Sequence, residues 1–449
     1  MAYIPLTASD REQMLRKIGV ASVDELFSDI PEDLRLKSFD WLPPSDERET
    51  LSILKGLAEA NRAAAEAPCF LGAGAYDHYI PAAVDAICSR SEFYTAYTPY
   101  QPEVSQGTLQ AIFEFQSLIC ALTGLAVSNA SMYDGPSALG EAVLIASSYT
   151  KKQKVLYAES LSPVYLAVVR TYLESGSIEL IPVKTARDGR VDPSDLSSKL
   201  SADTACLVLQ NPNFFGVIED GAALKKILGP TMLVVCADPN SLGLLAPPGS
   251  YGASICVGDC QPLGLPMSFG GPYAGYLAVS NDLMRKLPGR IVGRTVDCDG
   301  KTGFVLTLQT REQHIKREKA TSNICSNQAL CALRSTIYIC LLGKTGLKNV
   351  SCACLDKAHR MAEAACKNKG FSLRYTSPFY KEFVLDCPSN AAKLAEEVFN
   401  RFGILAGVPL SRFNPQDSNG LLISVTEKRT GDEIVGLSAA LAQVAGGLK

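Results

Sequence analysis

Three textures of apolar and polar positions succeed one another along the chain. In residues 1–65 apolar side chains recur at helical spacing, with Met14, Leu15 and Ile18 in one run and Leu26, Phe27 and Ile30 in the next. Ser9-x-x-Glu12 and Ser22-x-x-Glu25 have capping-box spacing at these runs. Leu34 to Pro44 interrupts the pattern, and an alanine-rich helix is expected over 46–67. From about residue 66 the chain alternates short, largely apolar strand candidates at 154–160, 177–183, 205–210, 231–238, 253–259 and 275–280 with helical patterns at 163–175 and 221–227. Strands apolar on both faces and separated by helices predict a mostly parallel sheet covered on each side. After residue 340 the reading is a helix near 355–368, an extended pair at 371–377 and 382–387, a helix at 390–401, a strand at 420–425 and a last helix capped by Thr430-x-x-Glu433. The division expected is a helical arm (1–65), a large α/β domain (66–340) and a small C-terminal α+β domain (341–449).

Composition narrows the function classes. A net charge of −3 over 449 residues offers no basic field for nucleic acid. The opening MAYIPLTASD lacks the regions of a signal peptide, and no run of apolar residues reaches bilayer length, so no membrane partner is expected. The 15 cysteines are odd in number and scattered through apolar segments such as those of Cys206, Cys236 and Cys340, which reads as reduced core thiols in a cytoplasmic protein. With three widely separated histidines, no metal site is expected.

Several loops carry candidate chemistry. Asp238 ends the apolar run 231–238, at a strand's carboxyl edge where ligands bind in such sheets, though a turn cap in ADPNS is an equal reading. Asn211, in NPNFFG, also comes just after a strand and reads either as a ligand contact or as a turn residue. Ser137 lies in DGPS at a helix start, where free N–H groups suit phosphate, but Asp134 would repel one. Tyr94, Tyr97, Tyr100 and Gln101 crowd a polar loop poorly suited to a core, and favour contact with a ligand or second chain. In 310–329, Arg311, Lys316, Arg317 and Lys319 precede Thr321, Ser322 and Asn323, a combination that suits an acidic group or a solvated helix face. The loop GDCQPLGLPMSFGGPYAG (258–275) is glycine-rich and lies just beyond a strand. An aspartate placed like Asp238 holds the pyridinium in pyridoxal phosphate enzymes, which also need a lysine soon afterwards for the Schiff base. From Pro239 through Arg285 there is none.

Taken in order, FLGAGAYDHYIP, YTPYQPEVSQG, NASMYDG, QNPNFFG, GDCQPLGLPMSFGGPY, GRIVGRTVDCDGKTGF and LTLQTREQHIKREKATSNIC resemble the glycine cleavage system P-proteins, and in particular the first (alpha) subunit of the split, two-subunit type. The resemblance implies the type I pyridoxal phosphate-dependent transferase (aspartate-aminotransferase-like) fold. It implies an α2β2 assembly whose beta subunit keeps the lysine and pyridoxal phosphate, with glycine as substrate and the lipoyl group of H-protein as aminomethyl acceptor. Type I active sites are completed by the neighbouring chain, so Tyr97, Tyr100, Gln101, Thr321, Ser322 and Asn323 are expected to reach the partner's cofactor or substrate. Asp238, Asn211 and Ser137 are expected to be remnants of this chain's own pocket. Two other readings remain: a purely structural or regulatory subunit, and a stand-alone enzyme using Lys286 or Lys301.

Overall fold

The computed structural model describes residues 6–39, 41, 43–61, 63–64, 66–320 and 322–447, and resolves into two compact units, 1–62 and 63–449. The first contains helices Ala8–Ile18 and Glu47–Glu59, neither of which buries a residue. Its capping box is Thr7 with Asp10, two residues ahead of the expected Ser9 pair, and the second helix ends at Glu59 rather than near 67. Ser22 does accept from the Glu25 amide, but the element it leads into is a short 3₁₀ turn.

The second unit is organised on a seven-stranded sheet; six of its strands fall in the expected runs, and the short first strand lies outside them. The seven are β1 (Val127–Ser128), β2 (Lys154–Ala158), β3 (Glu179–Val183), β4 (Thr204–Gln210), β5 (Met232–Cys236), β6 (Ile255–Asp259) and β7 (Gly275–Val279), in the order β1-β7-β6-β5-β4-β2-β3. Only β7 runs against its neighbours. The unbroken apolar runs are explained by two cores: along β5, Met232, Val234 and Cys236 face one, Leu233 and Val235 the other. Helices Gly135–Thr150 and Pro163–Leu173 cover the first face; Phe115 and Ile119, from helix Gln106–Thr123, help cover the second.

A hairpin, β8 (Ile291–Val296) with β9 (Thr302–Thr307), is pinned to helix Gln106–Thr123 by two glutamines that imitate strand pairing. Gln116 accepts from Val292 N (2.9 Å) and donates to its carbonyl (3.0 Å), and Gln106 does the same at Phe304 (2.8 and 2.9 Å). The C-terminal part forms a four-stranded antiparallel sheet, ordered β10 (Ser372–Leu373), β11 (Glu382–Asp386), β13 (Gly420–Ser424), β12 (Val408–Pro409), with helices Ala391–Phe402 and Gly431–Gly447 packed on it. Thr430 and Glu433 cap the last helix reciprocally.

The expected division at 340/341 falls inside one 38-residue helix, Ala329–Cys366, whose geometry breaks at Gly343 (φ 60°, ψ −174°). By length and hydropathy it could cross a bilayer, yet its apolar residues serve successive cores: Cys331 and Ala332 at the large sheet, Tyr338 and Ile339 beyond it, Ala358 and Met361 at the small one.

Candidate functional site

The carboxyl ends of β4, β5 and β6 converge on a cavity of about 40 Å³, bordered by Tyr76, Tyr165, Gln210, Asp238, Asp259 and Glu382. That space holds a water or two. Asp238, just beyond β5, takes the Asn240 amide on Oδ1 (3.0 Å) and the ammonium of Lys381 on Oδ2 (2.7 Å). Lys381 precedes β11, is 2 % exposed and is the one buried lysine among the described residues. Its Nζ also donates to His78 Nε2 (3.0 Å) and lies 3.5 Å from the centroid of the Tyr76 ring. An ammonium has no lone pair to give, so His78 carries its proton on Nδ1 and donates it to Glu427 Oε2 (2.6 Å).

Asp259, at the end of β6, closes the neighbouring position. Its Oδ2 accepts the Gly135 N–H (3.0 Å) at the start of helix Gly135–Thr150, and its Oδ1 the Gln261 N–H (2.8 Å). Burial pushes this carboxyl up to about 7, against the pull of both amides. Tyr165 packs on Gly135 so closely that a Cβ there would collide with its hydroxyl. Two residues past β6, Gln261 accepts from Tyr76 N (2.8 Å) and donates to Tyr76 O (2.9 Å) and Leu265 O (3.0 Å). The Tyr76 hydroxyl donates to Glu382 (2.6 Å), whose other oxygen accepts the Ala73 N–H (2.7 Å). Burial raises Glu382 to about 7 as well. Gln261→Leu is expected to orphan the buried Tyr76 N–H, while the Tyr76 carbonyl keeps the His78 N–H (3.1 Å), and to lower stability by about 2 kcal/mol in urea unfolding.

These residues do not fit pyridoxal phosphate. The carboxylate that would meet a pyridinium is paired with an ammonium, the helix N–H that would meet a phosphate is bonded to Asp259, and the cavity that the Tyr76 ring helps to line is only about 40 Å³. No lysine amine among the described residues stands free there. Lys286 lies beyond β7, whose Val279 is beside Ile255, so it emerges at the opposite edge of the sheet, and Lys301 sits exposed in the β8–β9 turn.

The sequence-based candidates are placed unevenly. Asp238 borders the cavity. Asn211 instead pairs with both backbone groups of Glu219 (3.1 and 3.3 Å), closing the NPNFFG turn, and Ser137 caps its helix reciprocally with Asp134. Tyr97 (83 % exposed) and Gln101 stand at the surface, as does Asn323; Tyr100, 53 % exposed, accepts from Arg290 Nη2 (3.3 Å) and packs edge-on to His314. Ser322 donates to Glu141 (2.6 Å), and Thr321 lies outside the described residues. The two loops border one neighbourhood, since Ile324 packs on Gly289 beside Arg290. Sequence reasoning missed Lys381, His78 and Arg290. Lys381 sits before an ordinary amphipathic strand, 143 positions from Asp238 (381 − 238), and no local signal marks it.

Comparisons with known proteins agree with this architecture. The family model described as glycine cleavage system P-protein matches residues 1–441. The "Probable glycine dehydrogenase (decarboxylating) subunit 1" of Chlorobium chlorochromatii is 51 % identical over 444 residues, 98 % of this chain and 99 % of that protein. The protein of the same name from Moorella thermoacetica is 50 % identical over 448 residues, 98 % and 99 % of the two chains. Among solved structures, glycine decarboxylase (P-protein) of the glycine cleavage system, in inhibitor-bound form, superposes with a TM-score of 0.90 at 40 % identity, covering 99 % of this chain and all of that one. A sphingosine-1-phosphate lyase from Burkholderia pseudomallei matches in fold alone (TM-score 0.66, 14 % identity, 92 % and 93 % covered). The expected type I architecture therefore stands, and this chain belongs to the glycine cleavage system P-protein family.

Proposed function

We propose that this chain is the alpha subunit of a two-subunit glycine decarboxylase. With a beta subunit, in an α2β2 assembly, it decarboxylates glycine and passes the aminomethyl group to the lipoyl arm of H-protein. Pyridoxal phosphate is carried by the beta subunit, and this chain completes the partner's site through the loops of Tyr97, Tyr100 and Gln101 and of Thr321, Ser322 and Asn323. The subunit-1 relatives, similar along their whole length, support the assembly. The observation that carries the division of labour is the pairing of Lys381 with Asp238, which leaves this chain's own pocket no free carboxylate for a pyridinium and no free amine. Fifteen cysteines, all free, fit a reducing cytoplasm.

The test is exchange of the glycine carboxyl carbon with bicarbonate, measured for this chain, for the beta subunit and for their mixture. Exchange is expected only in the mixture. Tyr100→Ala is expected to lower it about tenfold, the worth of one hydrogen bond to a charged group, while the subunits still co-elute. Exchange by this chain alone would refute the division, and full activity of the variant would reduce its loop to a structural element.

A further inference from the structure

Among its described residues, the second unit buries one cation without a counter-charge. Arg290 enters β8 and is 3 % exposed, yet among the described residues no carboxylate oxygen lies within 4.0 Å of its guanidinium. Its Nε has no hydrogen-bond partner among them, and its Nη2 reaches only the Tyr100 hydroxyl, at a long 3.3 Å. The Tyr100 ring lies 5.5 Å from Cζ. Every other buried lysine or arginine among the described residues is answered: Lys381 by Asp238, Arg429 by Asp77 and Glu433. Arg311, beside the same loop, spends two donors on the carbonyls of Leu287 and Gly289, so these acceptors are already engaged. The nearby carboxylate, Glu312, lies 3.7 Å from His314 and makes no ion pair with Arg290. A desolvated guanidinium left unpaired costs several kcal/mol, a cost that an oxyanion removes. The side chain in contact with the guanidinium, Tyr100, is itself exposed, as is His314, which packs edge-on to that ring.

We infer that Arg290, under Tyr100, is an oxyanion site that receives a carboxylate or phosphate group presented by the beta subunit's active site. This deepens the reading above and rests on it for the source of the anion, though the anion site itself does not depend on that reading. The guanidinium fork matches either group, and the phenol hydroxyl at its edge can turn to donate to the incoming oxygen.

The experiment begins with the isolated full-length chain. Inorganic phosphate, replacing chloride at fixed ionic strength, is expected to raise the thermal midpoint saturably. Arg290→Gln abolishes the rise, and Arg290→Lys, which keeps the charge without the fork, weakens the midpoint response about tenfold in phosphate concentration. An equal response in wild type and Arg290→Gln overturns the site; should the glutamine variant fail to fold, an unchanged response in Arg290→Lys does the same. In the assembled enzyme the Arg290→Gln chain then distinguishes the sources. Weaker glycine affinity at unchanged cofactor affinity assigns the substrate carboxylate, and weaker binding of pyridoxal phosphate assigns its phosphate. Both affinities unchanged in an intact assembly overturns the partner role, while the phosphate response of the isolated chain still reports separately on the site.

Discussion

Replacing Lys381 with methionine is expected to cost the chain about 3–5 kcal/mol, read as a fall in the urea midpoint at pH 7. Methionine keeps the length and apolar stem of lysine, so packing changes little and the effect isolates the ammonium. Three partners lose it together: Asp238 at 2.7 Å, His78 at 3.0 Å and the Tyr76 ring at 3.5 Å. Asp238 would keep a single amide donor, from Asn240, for a carboxylate whose side chain is 13 % exposed. Pairing Lys381→Met with Asp238→Asn removes the uncompensated charge as well as its partner, and most of the loss is expected to return. A single variant as stable as wild type would mean that the ion pair does not close the pocket.

Glu141→Gln is expected to stabilise the chain clearly at pH 8 and by less than about 1 kcal/mol at pH 5. Glu141 sits on the buried side of helix Gly135–Thr150; burial pushes it from 4.5 up to about 7, with the Ser322 hydroxyl pulling the other way. A folded-state value above the unfolded one means that the native chain binds more protons between the two. The stability this group contributes is therefore complete below about 4.5 and is lost as pH rises toward 7. Linkage sets the loss at about 3 kcal/mol, in order of magnitude, and glutamine, whose carbonyl can still accept from Ser322, avoids it. Asp259 and Glu382, also raised to about 7 by burial, add the same sign, so wild type itself should unfold more easily at pH 8 than at pH 5. The decisive quantity is the difference between variant and wild type across this range: a difference constant with pH contradicts the account, whatever its sign.

The strands were legible because their information is local. An apolar run such as 231–236 states its own length and, by being apolar on both faces, its central place in the sheet. The absence of a lysine after Asp238 could be read in the same way. The side chain that fills that place could not. Lys381 reaches Asp238, and His78 reaches Lys381, from segments that are neighbours only after the small sheet has docked, His78 and Lys381 being 303 positions apart. The capping boxes show the same limit on a smaller scale: Thr430 and Glu433 cap as their spacing suggests, while at Ser9 the polar residue placed too late lost to Thr7. Arg290 lay inside a motif that carried the family resemblance, but a sequence does not say which arginines are buried, nor which of those lack an acid.

The central claim is that this chain's pocket is closed to the cofactor its fold is built around. Absorption of the purified chain during titration with pyridoxal phosphate, before and after borohydride, tests it directly. The predicted result is no aldimine band and no reducible adduct on this chain, with both developing on the beta subunit when the two are mixed. A saturable, borohydride-trapped adduct on this chain at Lys381 would contradict the claim, because the ammonium now paired with Asp238 would then be the nucleophile of a working site.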